Sequence, residues 1–353
     1  MNRFFMLFVL FPLLVLSGCS KDPEPAGEEK DEVLVSGISL DEQKLELSVD
    51  SKAQLNATVT PYSYEGTLDW VSSHPEIASV DDKGNITALA EGETIVTVTA
   101  ENKKAVCNVV VYENKAEIGS YYYSDGSVTD RILETKTAIG VVFWLGDPTA
   151  SDAVLKKDHP GCTHGLVVSL DQTMSCWQSK YDNDRSKTVG AWVSAKRPDL
   201  ESPLTGVKME DNLNKIIGYN NTIAIEAFNE APENSDKRVD AVDAVADFRA
   251  AVKAPESSSG WYLPSAKELT LLCIGEYDEN IYNTEGTVLV EMKDRINKVL
   301  DELDEARSLS PSVYWASSEG SFEGAYNVYF DDGDTSASYK DFKNGVVRCI
   351  LAF

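Results

Sequence analysis

The sequence predicts an all-β sandwich over residues 33–112, followed by an α+β domain over residues 116–353. Three observations carry that expectation. Leu45, Leu47 and Val49, then Leu55, Ala57 and Val59, then Val96, Val98 and Ala100 alternate along the chain, which puts apolar side chains on one face of a strand. Beyond residue 116 this period gives way in places to a helical one: Val239, Val242, Val245, Ala246, Phe248 and Val252 form one stripe near a 3.6-residue repeat. Finally, 353 residues at 42% hydrophobic and 25% charged suit two folded domains, each long enough to bury a core.

Asp and Glu number 58 against 32 Lys and Arg, a formal charge of -26 at pH 7. No run of Lys or Arg supplies the phosphate-neutralising surface that nucleic-acid binding needs, so nucleic acid is excluded as a partner. Spread over an exported chain, this charge favours solubility and mutual repulsion on a crowded surface.

Residues 1–18 carry one charge, Arg3, followed by an apolar run from Phe4 to Leu16. That run is short for a hydrocarbon core of roughly 30 Å and reads as an export signal, not a membrane span. Leu16-Ser17-Gly18-Cys19 resembles the bacterial lipobox. The resemblance makes Cys19 a lipidation site, and the acyl chains the only contact with a membrane. Residues 19–32 carry Pro23 and Pro25, many acids and no apolar period, as an extended tether does. Their start, Ser20-Lys21-Asp22, resembles the acidic export signal of Bacteroidetes-type surface lipoproteins, which implies an outer membrane and a location facing the cell exterior.

Between residues 33 and 112 turn signals recur at intervals of about eight to twelve residues: Pro61, Gly66, Asp82 to Asn85, and Glu91-Gly92. Trp70 is the expected core anchor. Ile38-Ser39-Leu40, L-x-A-x-V-x-P from Leu55 to Pro61, W-x-S-S from Trp70, I-A-S-V-D from Ile77, G-x-I-T-A-L from Gly84 and E-G-x-T from Glu91 follow in order. Together they resemble a group 2 bacterial immunoglobulin-like domain, which implies a surface module or spacer. Such modules serve adhesins and surface enzymes alike, so the fold does not by itself name a function.

In the second part, Ala138 to Leu145 is too apolar throughout for an exposed edge strand, and Gly165 to Leu170 is a second strand. Helices are expected over Asp236–Val252, after Ser265, where Glu268 completes a capping box, and over Val288–Ala306. Strands return at Val313–Ser318, Ala325–Phe330 and Val346–Phe353, the last apolar enough to lie buried. G-W-Y-L-P-S-x-x-E-L from Gly260, Y-W-A-S-S-E from Tyr314, A-Y-N-V-Y-F-D-D-G from Ala325 and V-R-C-I from Val347 are similar to the C-terminal domain family of bacterial collagen-like adhesins and its relatives among Bacteroidetes surface lipoproteins. That resemblance implies a C-type-lectin-like fold, with Trp261, Leu263, Trp315 and Arg348 holding the core.

Chemistry-bearing clusters are few. His159, Cys162 and His164 lie close together, as a weak metal pattern or as a polar loop before a strand. Cys162 and Cys176 flank the strand at Gly165, which leaves both a local disulfide and lone buried thiols open. Tyr326, Tyr329, Asp331, Asp332, Asp334 and Tyr339 mix the residue types of recognition loops and form the candidate ligand-binding set. A solvated hairpin is the plainer reading of the same residues. The three aspartates also admit Ca²⁺, although they lack the spacing of an EF-hand loop; no other cofactor and no catalytic residue is expected. The resulting expectation is a cell-surface lipoprotein, not an enzyme, acting as an adhesin or as a module for glycan or extracellular protein. The alternatives are a structural or pilus-associated surface protein without a small-ligand site, and, from the fold resemblance, a catalyst like the formylglycine-generating enzymes, whose cysteine pair does not map onto Cys273 and Cys349.

Overall fold

The computed structural model describes residues 34–204, 213–275, 281 and 290–353. The leader and tether, with Cys19, lie outside the described residues, as does the start expected for the last helix at Val288.

The strands of the first unit are β1 (Gly37–Leu40), β2 (Lys44–Ser48), β3 (Lys52–Gln54), β4 (Ala57–Thr60), β5 (Asp69–Ser72), β6 (Ala78–Val80), β7 (Asn85–Ala88), β8 (Gly92–Ala100) and β9 (Lys103–Tyr112). They form a four-stranded sheet, β2-β9-β8-β5, a three-stranded sheet, β3-β7-β6, and the pair β1-β4. The predicted alternation explains the core. Val96, Val98, Ala100, Cys107, Val109 and Val111 point in from one sheet, and Leu55, Ala78, Ile86 and Ala88 meet them from the other side. Outward positions of the four-stranded sheet, Val71, Ile95 and Val106, remain exposed. Trp70 is not a central anchor: it is half-buried at the rim, packed on this core. Its ring and the Leu55 carbonyl leave no room for a side chain at Gly84, whose positive φ of 79° also favours glycine.

The rest of the chain builds one eight-stranded sheet in the order β11-β10-β12-β13-β17-β14-β15-β16. Its members are β10 (Tyr121–Tyr123), β11 (Val128–Thr129), β12 (Ala138–Leu145), β13 (Gly165–Ser175), β14 (Val313–Glu319), β15 (Gly324–Tyr329), β16 (Thr335–Tyr339) and β17 (Gly345–Ala352). Helices α1 (Ala153–Asp158), α2 (Val189–Lys196), α3 (Gly218–Glu230), α4 (Asp240–Ala251), α5 (Ala266–Ile274) and α6 (Glu291–Leu300) accompany them. The terminal strand β17 sits inside the sheet, antiparallel to β13 and parallel to β14, and all eight of its residues are buried. Val346, Ile350 and Ala352 enter one core with α5 and α6, while Val347, Cys349 and Leu351 enter a second core with α2, α3 and α4. One strand thus feeds two hydrophobic layers, which is why its sequence is apolar at odd and even positions alike. Trp261, Leu263, Trp315 and Arg348 are buried, as expected of residues that hold the fold.

Of the helices, α4 and α5 match the predicted stripes, and Ser265 with Glu268 makes the capping box in both directions. Helix α3 was not expected, because Asn220, Asn221 and Thr222 hide its period. They are buried all the same: Asn220 donates to the Glu201 carbonyl at 3.0 Å and Asn221 to Ser317 Oγ at 3.3 Å, which offsets their desolvation.

The two units meet at a built junction. Glu46 on β2 has a side chain only 2% exposed, and it accepts hydrogen bonds from Glu134 N at 3.0 Å and from Thr135 N at 2.8 Å and Oγ1 at 2.5 Å. Lys136 Nζ donates to Tyr112 Oη at 2.6 Å, and Tyr112, Tyr121, Tyr123 and Leu133 form a small core of their own.

Candidate functional site

The sheet ends in the edge strand β16, and the cleft beside it is the candidate site. Backbone pairing with β15 runs from Val328 opposite Thr335 to Gly324 opposite Tyr339. At the open end, Ser321 Oγ accepts from Gly324 N at 3.0 Å and from Glu323 N at 3.2 Å, so the tight β14–β15 loop presents Glu323 beside the last residues of β16. Lys340 N donates to the Glu323 carbonyl at 2.9 Å and ties the two segments together. The result is a cleft of about 610 Å³ walled by Tyr339 and Phe342, with Glu323 and Asp341 among its lining residues. A second cleft, of about 530 Å³ over β3, β6 and β7, has no aromatic lining residue.

Alternation along the strand turns Tyr339 out and Lys340 in. Tyr339 is 67% exposed, while the Lys340 side chain is 1% exposed. Its ammonium pairs with Glu319, donates to Gln178 Oε1 at 3.3 Å and lies 5.0 Å from the ring centre of Trp177 and 5.7 Å from that of Tyr181. Glu319 accepts from Val189 N at 3.1 Å and Gly190 N at 2.7 Å, where the N-terminus of α2 favours a negative charge. A buried ion pair needs such additional hydrogen bonds to offset desolvation. Here it fixes the floor under the cleft. Nothing in the local sequence marks Lys340 as buried; a β16 register with Tyr339 facing out would have found it.

The six residues expected to bind ligand are not brought together. Tyr326 is 3% exposed and belongs to the core. Asp331, Asp332 and Asp334 lie in the β15–β16 turn, where Gly333 N donates to the Tyr329 carbonyl at 2.7 Å and Asp334 N to Asp332 Oδ1 at 2.9 Å. Tyr329 ends β15 beside that turn. Tyr339 stands at the other end of β16, roughly 14 Å away by strand rise. Only Tyr339 joins the cleft, and the residues missed were Glu323, Asp341 and Phe342. Nor do the aspartates converge on a cation: among the described residues no group of three or more ligating side chains is positioned to hold a metal ion.

The remaining clusters are structural. His159 Nε2 hydrogen-bonds Tyr219 Oη at 3.1 Å, and His164 stacks on Phe353. The bridge left open between Cys162 and Cys176 does not form, and both are free. Cys162 is buried and directs its thiol to the Ser257 carbonyl at 3.6 Å, with burial pushing its pKa up to about 11. Burial likewise pushes the free thiols of Cys273 and Cys349 up to about 12. None of these is the thiolate that a cysteine nucleophile requires.

Comparison with known proteins bears on both units. Residues 34–109 are a bacterial Ig-like domain (group 2). The chain is similar to the putative fimbrium tip subunit Fim1C of Bacteroides ovatus, at 25% identity over 244 residues that cover 63% of this chain and 42% of that protein. The chain therefore spans about two fifths of that relative's length. A stretch of 99 residues, 28% of this chain, is 32% identical to the lacto-N-biosidase of Bifidobacterium bifidum, of which it covers 8%. Among solved structures, a fimbrial protein from Bacteroides ovatus shares the fold with a TM-score of 0.54, at 17% identity, over 90% of this chain and 70% of that one. Among the described residues no helix is long and apolar enough to cross a membrane.

Proposed function

We propose that this protein is a cell-surface fimbrial subunit in which the Ig-like module spaces a C-terminal unit that presents the β16 cleft outward. The similarity over 244 residues to a fimbrium tip subunit carries this reading, and it favours a pilus-associated role over a free-standing adhesin. The built junction at Glu46 supports it further, since a subunit that passes load from one unit to the next benefits from a joint whose polar groups are satisfied. Its partners are then other fimbrial proteins. Acyl chains at Cys19 tether the chain to an outer membrane before or during assembly. Immunogold microscopy of the producing cells, with antibody raised against the full chain, tests the proposal: label on filaments, concentrated at their ends, is expected. Label spread over the envelope with none on filaments overturns it.

A further inference from the structure

We infer that the β16 cleft binds a cationic side chain, a lysine or arginine of a partner protein. Its walls are two exposed aromatic rings, Tyr339 at 67% and Phe342 at 38% exposure, on an edge where burial would be the default for groups of that size. Glu323 and Asp341 line the same cleft, and among the described residues neither carboxylate has an ion pair or hydrogen bond. The lysine placed to neutralise them, Lys340, is turned inward onto Glu319; Lys343, next after Phe342, does not line the cleft. Tyr181 lies close enough for Asp341, Glu323 and Tyr339 to help hold its phenol protonated, after the larger effect of burial. The cleft therefore offers aromatic faces and uncompensated negative charge together. An ammonium or guanidinium answers both, through the ring quadrupole and through charge-assisted hydrogen bonds. A neutral sugar can stack on the rings and donate its hydroxyls to the carboxylates but leaves their charge uncompensated, and an anion is opposed both by these carboxylates and by the -26 of the whole chain.

This goes beyond the fimbrial reading, because it concerns what the cleft holds wherever the subunit sits. The test is fluorescence anisotropy of the full chain with a labelled Gly-Lys-Gly-Lys-Gly peptide at physiological ionic strength. Tyr339→Ala is expected to weaken binding about threefold, and Glu323→Gln with Asp341→Asn about fivefold. Glu65→Gln with Asp82→Asn, which removes the same charge from the Ig-like module, is expected to leave binding within about 1.5-fold because exposed charges that far apart are screened. Equal loss in this control, no peptide binding at all, or a glycan-array signal abolished by Tyr339→Ala would each overturn the inference. None of these outcomes depends on filament assembly, so this inference and the fimbrial reading fail separately.

Discussion

In the Ig-like module, β8 buries Val96 and Val98 and shows Ile95 to water, whereas in the C-terminal unit β17 buries all eight of its residues between two helical layers. The first sheet has one dry face. The second has two at its centre and becomes half-wet only toward β16. The difference decides where polar residues can go. In the module they occupy alternate positions at no cost, while in the C-terminal unit deeply buried polar side chains such as Lys340, Glu319 and Glu268 bring partners, and Arg348 in the central strand β17 keeps Nε and Nη2 without one.

Lys340→Ala should break this arrangement most severely. It leaves Glu319 buried without its cation, which costs about 3–5 kcal/mol, and scanning calorimetry should show the transition of the C-terminal unit falling by roughly 10 °C. The Ig-like transition should stay in place. Leu55→Ala is the mirror experiment. Leu55 is 1% exposed in the module core, and its truncation should cost about 2–5 kcal/mol there while sparing the other transition. A single transition that moves in both variants would show that the junction fuses the units into one cooperative body.

Glu268 gives the C-terminal unit a pH dependence opposite in sign to that of Asp41 and Asp81 in the module, whose carboxyls are held below their ordinary value chiefly by hydrogen bonds from Asn56 and Asn85. Burial raises the Glu268 pKa to about 7, and its carboxyl accepts hydrogen bonds from Ser265 N at 2.6 Å and Tyr262 Oη at 3.1 Å. The folded state holds this proton above the ordinary glutamate value of 4.5. Stability should therefore fall as pH rises from about 4.5 to 7, by on the order of 3 kcal/mol, with the cost of the buried charge fully present above that window. Glu268→Gln keeps an acceptor and a capping-box residue but cannot ionise. Urea unfolding at pH 5 and pH 8 should show a smaller difference for the variant than for the parent; an unchanged difference would remove Glu268 as its source. The smallest effect is expected at the junction. Glu46→Ala takes the acceptor from the Glu134 and Thr135 amides, which are exposed enough for water to replace it, so the cost is about 1 kcal/mol. Faster limited proteolysis between residues 112 and 136, with both melting transitions intact, is the sign that only the joint has loosened.

The clearest sequence signals were those of period. Alternation revealed the module's strands, the stripe from Val239 to Phe248 revealed α4, and the unbroken apolar tail announced a buried final strand. Helix α3 escaped because Asn220, Asn221 and Thr222 are buried against partners distant in sequence. The candidate site was half legible. Tyr339 belongs to it, but the aspartates nearer in sequence to Tyr326 go to the turn, and Glu323 arrives from the β14–β15 loop instead. The C-type-lectin-like assignment rests on resemblance alone.

Composition and local pattern, which are additive along the chain, determined on their own that this protein is acidic, that its first unit is a β-sandwich of alternating strands, and that its last strand is buried. Only the tertiary structure decided that Lys340 faces inward, that Tyr339 and Phe342 frame a cleft with Glu323 and Asp341, and that Glu46 closes the joint. Each of these depends on which strand lies beside which and in what register. A shift of one residue in β16 would exchange Tyr339 for Lys340 at the surface and erase the site.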